Sequence, residues 1–193
     1  SVRAITLLTD LPSAMNFSQN PYDPRTLEQM IHMTSSLKLE LITPFIDATK
    51  EAFSTMLSMQ IRRKEIFIKQ GYDMYGEVSG VMGLSGTTTG TCALSMPASL
   101  AERAIRAMLM TPEDEMLAES EIRDGVGELI NMIAGGAKTK LSGTMYKFNM
   151  TLPTIISGGK HEVFHRSGTY CVVIVFENVE RESFALDVCI SVK

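Results

Sequence analysis

Asp124, Glu128 and Asn131 stand four and then three residues apart, the spacing at which side chains meet on one face of a helix. On a wheel at about 100° per residue, Ile122, Val126, Leu129, Ile130, Ile133 and Ala137 fill an arc of roughly 100°. The three polar residues cluster on the opposite side, within about 60° of one another. They therefore face solvent or a partner. Two carboxylates beside a carboxamide offer that partner negative charge together with a group that both donates and accepts hydrogen bonds.

Two other stretches suggest different chemistry. His161-Glu162-Val163-Phe164-His165 matches the H-E-x-x-H zinc pattern, in which both histidines project from one face of a long helix. Ser157-Gly158-Gly159 before it and Ser167-Gly168 after it leave no room for such a helix. The reading is therefore a loop or strand edge, and no metal is expected. Gly83-Leu84-Ser85-Gly86-Thr87-Thr88-Thr89-Gly90 lacks the G-K-[ST] ending of a phosphate loop and is followed by strand-like sequence. A hairpin turn is expected there. No G-x-S-x-G elbow is present, and no Cys–His pairing can be inferred from sequence alone.

The elements that must position these residues follow from periodicity. Leu41–Met59 repeats apolar residues at helical spacing. Ile61–Gln70, Glu77–Leu84 and Gly90–Met96 read as strands, the last two joined through Ser85–Thr89. Pro97 to Met110 reads as a short helix. Thr111-Pro112-Glu113-Asp114-Glu115 predicts a restart, with a Thr cap, Pro at the first position and acids in the first turn, leading into a long helix that runs to Leu141 with a bend or break near Ser120. Thr151–Ile156, Tyr170–Phe176 and Phe184–Val192 are rich in β-branched residues and read as strands, the last two a hairpin around Asn178–Glu182. Residues 1–36 form an N-terminal extension with a short helix from Pro24 to Met33 after an Asp23 cap. Residues 37–193 form the domain.

The order is helix, three strands, helices, three strands. The helices also match: Asp47, Glu51 and Ser54 recur as Asp124, Glu128 and Asn131, 77 positions later. Agreement in spacing and in element order points to an internal duplication. An acidic and amide face is what any surface helix shows. That face is set apart here by the repeat and by Gly125, Gly127, Gly135 and Gly136 within one helix, each costing up to about 1 kcal/mol against Ala. Such glycines suggest close approach by another group, although a frayed helix end accounts equally well for the last two.

Composition narrows the classes. The chain has 193 residues, 18 Lys+Arg against 22 Asp+Glu, a net charge of −4 and 45% hydrophobic residues, with mean hydropathy +0.08. This is one domain with a real core, not a disordered or coiled-coil chain. The acidic balance argues against a nucleic-acid partner. Apolar runs are too short for a bilayer and the N-terminus lacks a signal-peptide pattern, so a cytoplasmic location is expected. Cys92, Cys171 and Cys189 lack C-x-x-C spacing, and buried free thiols are expected. The 14 methionines without tryptophan could mark an adaptable surface. Met56 and Met96 fall in core-like patterns, while Met132 flanks Asn131.

Asp124-Gly125-Val126-Gly127-Glu128-Leu129-Ile130-Asn131-Met132-Ile133-Ala134-Gly135-Gly136-Ala137-Lys138, with Pro153 placed 22 positions after Asn131, resembles the signature helix of the CheC/CheX/FliY chemotaxis phosphatases. The resemblance spans roughly Leu41 to Val192. With Ser54 in place of the first copy's amide, the chain is most similar to CheX. The resemblance implies an α/β fold of the α+β type, a sheet with long helices packed on it in two pseudo-symmetric halves. It also implies hydrolysis of the aspartyl phosphate of the response regulator CheY, which carries its own Mg²⁺ and lysine, so that no cofactor of this chain's own is needed. Asn131 would position water and Glu128 would pair with the receiver's lysine. Asp124, Gly135 and Pro153 would border the partner-binding face. The resemblance further implies a homodimer. The alternative is a non-catalytic, CheC-like or flagellar-switch adaptor that binds a receiver domain.

Overall fold

The computed structural model describes residues 37–165 and 169–192; the extension, including the helix expected at Pro24–Met33, lies outside them. Helix α1 spans Leu37–Met56, β1 Ile61–Ile68, β2 Val78–Gly86, β3 Thr88–Met96 and α2 Ala98–Leu109. Helix α3 spans Glu119–Leu141, followed by β4 Phe148–Met150, β5 Thr154–Ser157, β6 Tyr170–Asn178 and β7 Ser183–Val192. The class is α+β, as expected.

All seven strands form one antiparallel sheet in the order β1-β6-β7-β3-β2-β4, with β5 also paired to β2. The duplication is visible in that order. The hairpins β2-β3 and β6-β7 meet at the β3-β7 seam, and the strand preceding each hairpin pairs with the other half: β1 with β6, and β4-β5 with β2. Exchanging halves about the seam maps the strand order onto itself.

Alternation along each strand gives the sheet two different faces. Val172, Ile174 and Phe176 of β6 and Leu186, Val188 and Ile190 of β7 point toward Phe45 and Phe53 of α1 and Ile130 and Ile133 of α3 in the main core. Phe53 stacks on Phe184 with ring centroids 4.4 Å apart. Each such side chain contributes about 1.5–3 kcal/mol when fully buried. The opposite face carries a small cluster of Phe67, Val173, Val175 and Ala185, and a polar inlay on the same face. There Lys69 and Asp187 form a fully buried ion pair at 2.6 Å, and Ser79 donates to Ser95 at 2.8 Å.

Four expectations are corrected. Residues 111–118 are not helical: the Arg106 guanidinium of α2 reaches over to the carbonyls of Pro112 and Glu115 and holds this stretch as a connection. Helix α3 begins at Glu119 instead, where the Glu121 carboxylate accepts from Ala118 N–H at 2.7 Å, close to the expected break at Ser120. The strand expected at Thr151–Ile156 is interrupted at Thr151-Leu152-Pro153, because proline cannot donate to the ladder. Cys171 and Cys189 are joined in a disulfide. They sit directly opposite each other on β6 and β7, a register that sequence spacing does not reveal. Cys92 alone is free, and burial pushes its thiol far above the usual range, keeping it inert. Met96 is buried, but Met56, the last residue of α1, is 41% exposed.

Candidate functional site

Helix α3 presents Asp124 and Glu128 exposed and Asn131 half-buried beside them. The apolar side of the same helix, Val126, Leu129, Ile130, Ile133 and Ala137, is buried. The expected apolar arc is buried except at Ile122, which is partly buried against the core's edge. Neither the Glu128 carboxylate nor the Asn131 carboxamide hydrogen-bonds to another side chain among the described residues.

The glycines explain how the helix is seated. A side-chain carbon at Gly125 would lie 2.6 Å from Cγ2 of Ile105 on α2, and one at Gly136 would lie 3.0 Å from Cβ of Ala48 on α1. Gly80 of β2 likewise admits Ile130 and Val126, whose side chains would lie 3.0 and 3.2 Å from such a carbon. The helix is thus pressed onto the sheet and between two other helices, which fixes the direction of its polar face. Gly135 has only Met150 Cε near it, at 3.9 Å, so it tolerates a side chain sterically.

At Gly127 a side-chain carbon would lie 3.6 Å from Pro153 Cγ and 3.4 Å from Ile155 Cδ1. Pro153 therefore borders the helix one residue before Glu128. Thr151 anchors this bend by accepting from Gly83 N–H at 2.9 Å through its hydroxyl and donating its own N–H to the Gly83 carbonyl at 3.0 Å. The bend thrusts Leu152 outward, 87% exposed. Sequence reasoning missed Leu152; the signal was an apolar residue preceding a proline in a strand-like run.

The first copy of the polar triplet is arranged differently. Asp47 and Glu51 are exposed, but Glu51 is engaged by Lys140 of α3 at 3.2 Å. Ser54 turns back to the Glu51 carbonyl at 3.1 Å. A shallow groove of about 330 Å³ runs between α1 and α3, lined by Glu51, Thr55, Met132, Gly136 and Lys140. Met132 thus borders the groove next to Asn131, as its flanking position suggested.

The histidine motif is a strand edge. Glu162 forms an isolated antiparallel bridge with Asp73, and His161 Nε2 lies 2.8 Å from Ser79 Oγ. His165 lies apart from it, over the β6-β7 pair, with Nε2 3.3 Å from Cys189 Sγ. Burial, and then the Lys69 charge, holds its imidazole below the usual range. No helix among the described residues is long and apolar enough to cross a membrane.

The fold and part of the sequence are shared with known proteins. The family profile described as chemotaxis phosphatase CheX matches residues 78–177. A CheX from Desulfovibrio desulfuricans is similar at TM-score 0.71 and 28% identity, over 79% of this chain and 99% of that one. A chemotaxis protein CheX from Vibrio vulnificus is similar at TM-score 0.70 and 28% identity, over 79% and 99%. A Borrelia burgdorferi CheX, solved as a CheX-CheY-BeF₃-Mg²⁺ complex, shares the fold at TM-score 0.64 and 22% identity, over 78% and 97%. No curated protein matches the chain in sequence.

Proposed function

The chain belongs to the CheX family of chemotaxis phosphatases, and from that premise we propose that it dephosphorylates the aspartyl phosphate of a CheY receiver, using Asn131 to position water and Glu128 to dock. The observation that carries this reading is the Glu128–Asn131 pair, without a side-chain partner among the described residues, on a helix whose direction is fixed by packing. An acyl phosphate in a receiver has its electrophile, Mg²⁺ and lysine in place. What is missing is a water held in line with phosphorus, since phosphoryl transfer depends on placement and electrostatics. The Asn131 carbonyl accepts from that water while its NH₂ donates to a phosphoryl oxygen. The water oxygen bonds to phosphorus and the receiver's aspartate leaves as carboxylate. Glu128, one turn earlier, pairs with the receiver's lysine and sets the register. Asp124, Gly135 and Pro153 border the docked face. Mg²⁺ belongs to the receiver, and the homodimer implied by the resemblance is part of the same reading.

The test is phosphate release from phospho-CheY with and without the chain. Acceleration supports the reading, and binding without acceleration would establish the adaptor instead. Glu128→Ala should reduce the rate at low receiver concentration by about 10-fold, the equivalent of about 1.4 kcal/mol of docking, with partial recovery at saturation. An unchanged rate at low concentration would remove Glu128 from the interface.

The first copy should stay silent. Ser54→Asn supplies the amide, but Lys140 stands at Glu51. An exposed pair is worth only about 0–1 kcal/mol, so pairing alone does not disable the site. The lysine charge does, because it meets the receiver's lysine with like sign. Ser54→Asn alone should therefore leave phosphatase activity per chain unchanged, which a titration against phospho-CheY would show. A doubled rate would mean that Lys140 gives way.

A further inference from the structure

His165, Cys171 and Cys189 each offer a ligand atom, and these atoms lie within 4.8 Å of one another. Cys171 and Cys189 are 5% and 1% exposed, on the sheet face away from the helices. Thr91 of β3 stands directly across from Cys189. Its Oγ1 is buried without a hydrogen-bond partner, and so is Nδ1 of His165. Leaving a buried polar atom unpaired costs about 1–3 kcal/mol. The unpaired Thr91 hydroxyl, level with Cys189 and close to a second sulfur and the Nε2 edge of an imidazole, marks a place that suits a polar occupant.

We propose that, in its dithiol form, this chain binds Zn²⁺ through Cys171, Cys189 and His165, with the fourth position open to water. Thiolate and imidazole are the ligands zinc prefers, and three protein ligands leave one vacant position. With Zn–S near 2.3 Å and Zn–N near 2.0–2.1 Å, tetrahedral ligand atoms stand roughly 3.5–3.8 Å apart. The His165 Nε2 to Cys189 Sγ separation of 3.3 Å is already close to this. Charge also balances: two thiolates neutralise the ion, and the neighbouring Lys69–Asp187 pair sums to zero. Cys92 points to the helix face and takes no part.

The disulfide is the metal-free form. A dithiol reductant passes two electrons and two protons to Cys171 and Cys189, breaking the S–S bond and itself becoming a disulfide. Zn²⁺ then displaces the two thiol protons. The histidine motif thus yields one ligand, His165, while its other members serve the strand edge.

The experiment uses the full chain, reduced and freed of metal, then offered Zn²⁺ or Co²⁺. One Zn²⁺ per reduced chain is expected, together with the thiolate-to-Co²⁺ charge-transfer bands and intense visible bands of a tetrahedral site. Cys92→Ser should bind as wild type. His165→Ala, a change on a surface loop that leaves the sheet intact, should weaken binding by more than about 10-fold. Cys189→Ser should lose the thiolate bands further. Absence of zinc from the reduced chain would overturn the proposal, as would wild-type affinity in His165→Ala or equal binding by the oxidised chain.

Discussion

Asn131→Ala should lower stimulated dephosphorylation of phospho-CheY by about 100-fold or more, which corresponds to about 2.7 kcal/mol of transition-state stabilisation. Stability should not fall with it. Among the described residues the carboxamide has no side-chain partner to lose, and Ala gains up to about 0.7 kcal/mol in helix propensity. Two further substitutions separate positioning from bulk. Asn131→Asp keeps the shape but removes the NH₂ donor and adds a negative charge that would face phosphoryl oxygens; it should be as inactive as Ala. Asn131→Gln keeps the amide and displaces it by one methylene, and an error near 1 Å costs about 100-fold when geometry is the source of the rate. Single-turnover decay of phospho-CheY with each variant at saturating concentration measures this directly. A wild-type rate in Asn131→Ala would end the assignment.

The helical face of the candidate site was legible because it depends on one helix. The spacing of Asp124, Glu128 and Asn131 needs only the helical period to place all three together, and the structure agrees. The duplication was legible for the same reason, since each half repeats one local order, but the β3-β7 seam was not. Long-range pairing was not. Cys171 and Cys189 meet through hairpin register, Arg106 holds residues 112–115 away from the helical form, and Lys140 reaches Glu51 across 89 positions. None of these leaves a periodic trace. The glycines of α3 lie between the two cases. Their number signalled close approach, but only packing shows that the neighbours are Ile105 and Ala48, both within the chain.

The second large effect belongs to the sheet face that the helices do not cover. Asp187→Ala should destabilise the fold by about 3–5 kcal/mol, because it strands the Lys69 ammonium in the interior. Both side chains are wholly buried and 2.6 Å apart. Once Asp187 is gone, the hydrogen bond left to the Lys69 ammonium among the described residues is the weak one to Met74 Sδ at 3.5 Å. The intact pair adds little net stability of its own. Burial raises the Asp187 carboxyl above its ordinary range even with the opposing lysine, and its Oδ1 has no partner. Replacing both residues, as in Lys69→Met with Asp187→Leu, should therefore recover most of the loss, since matched apolar replacements of buried pairs are often neutral or better. Urea unfolding of the two single variants and the double variant resolves the terms as a coupling energy. A loss below about 1 kcal/mol in Asp187→Ala would mean that water reaches the pair, as at an exposed site. Asn131 and Glu128 lie on the helix-covered side, so phosphatase activity per folded molecule should survive the double replacement.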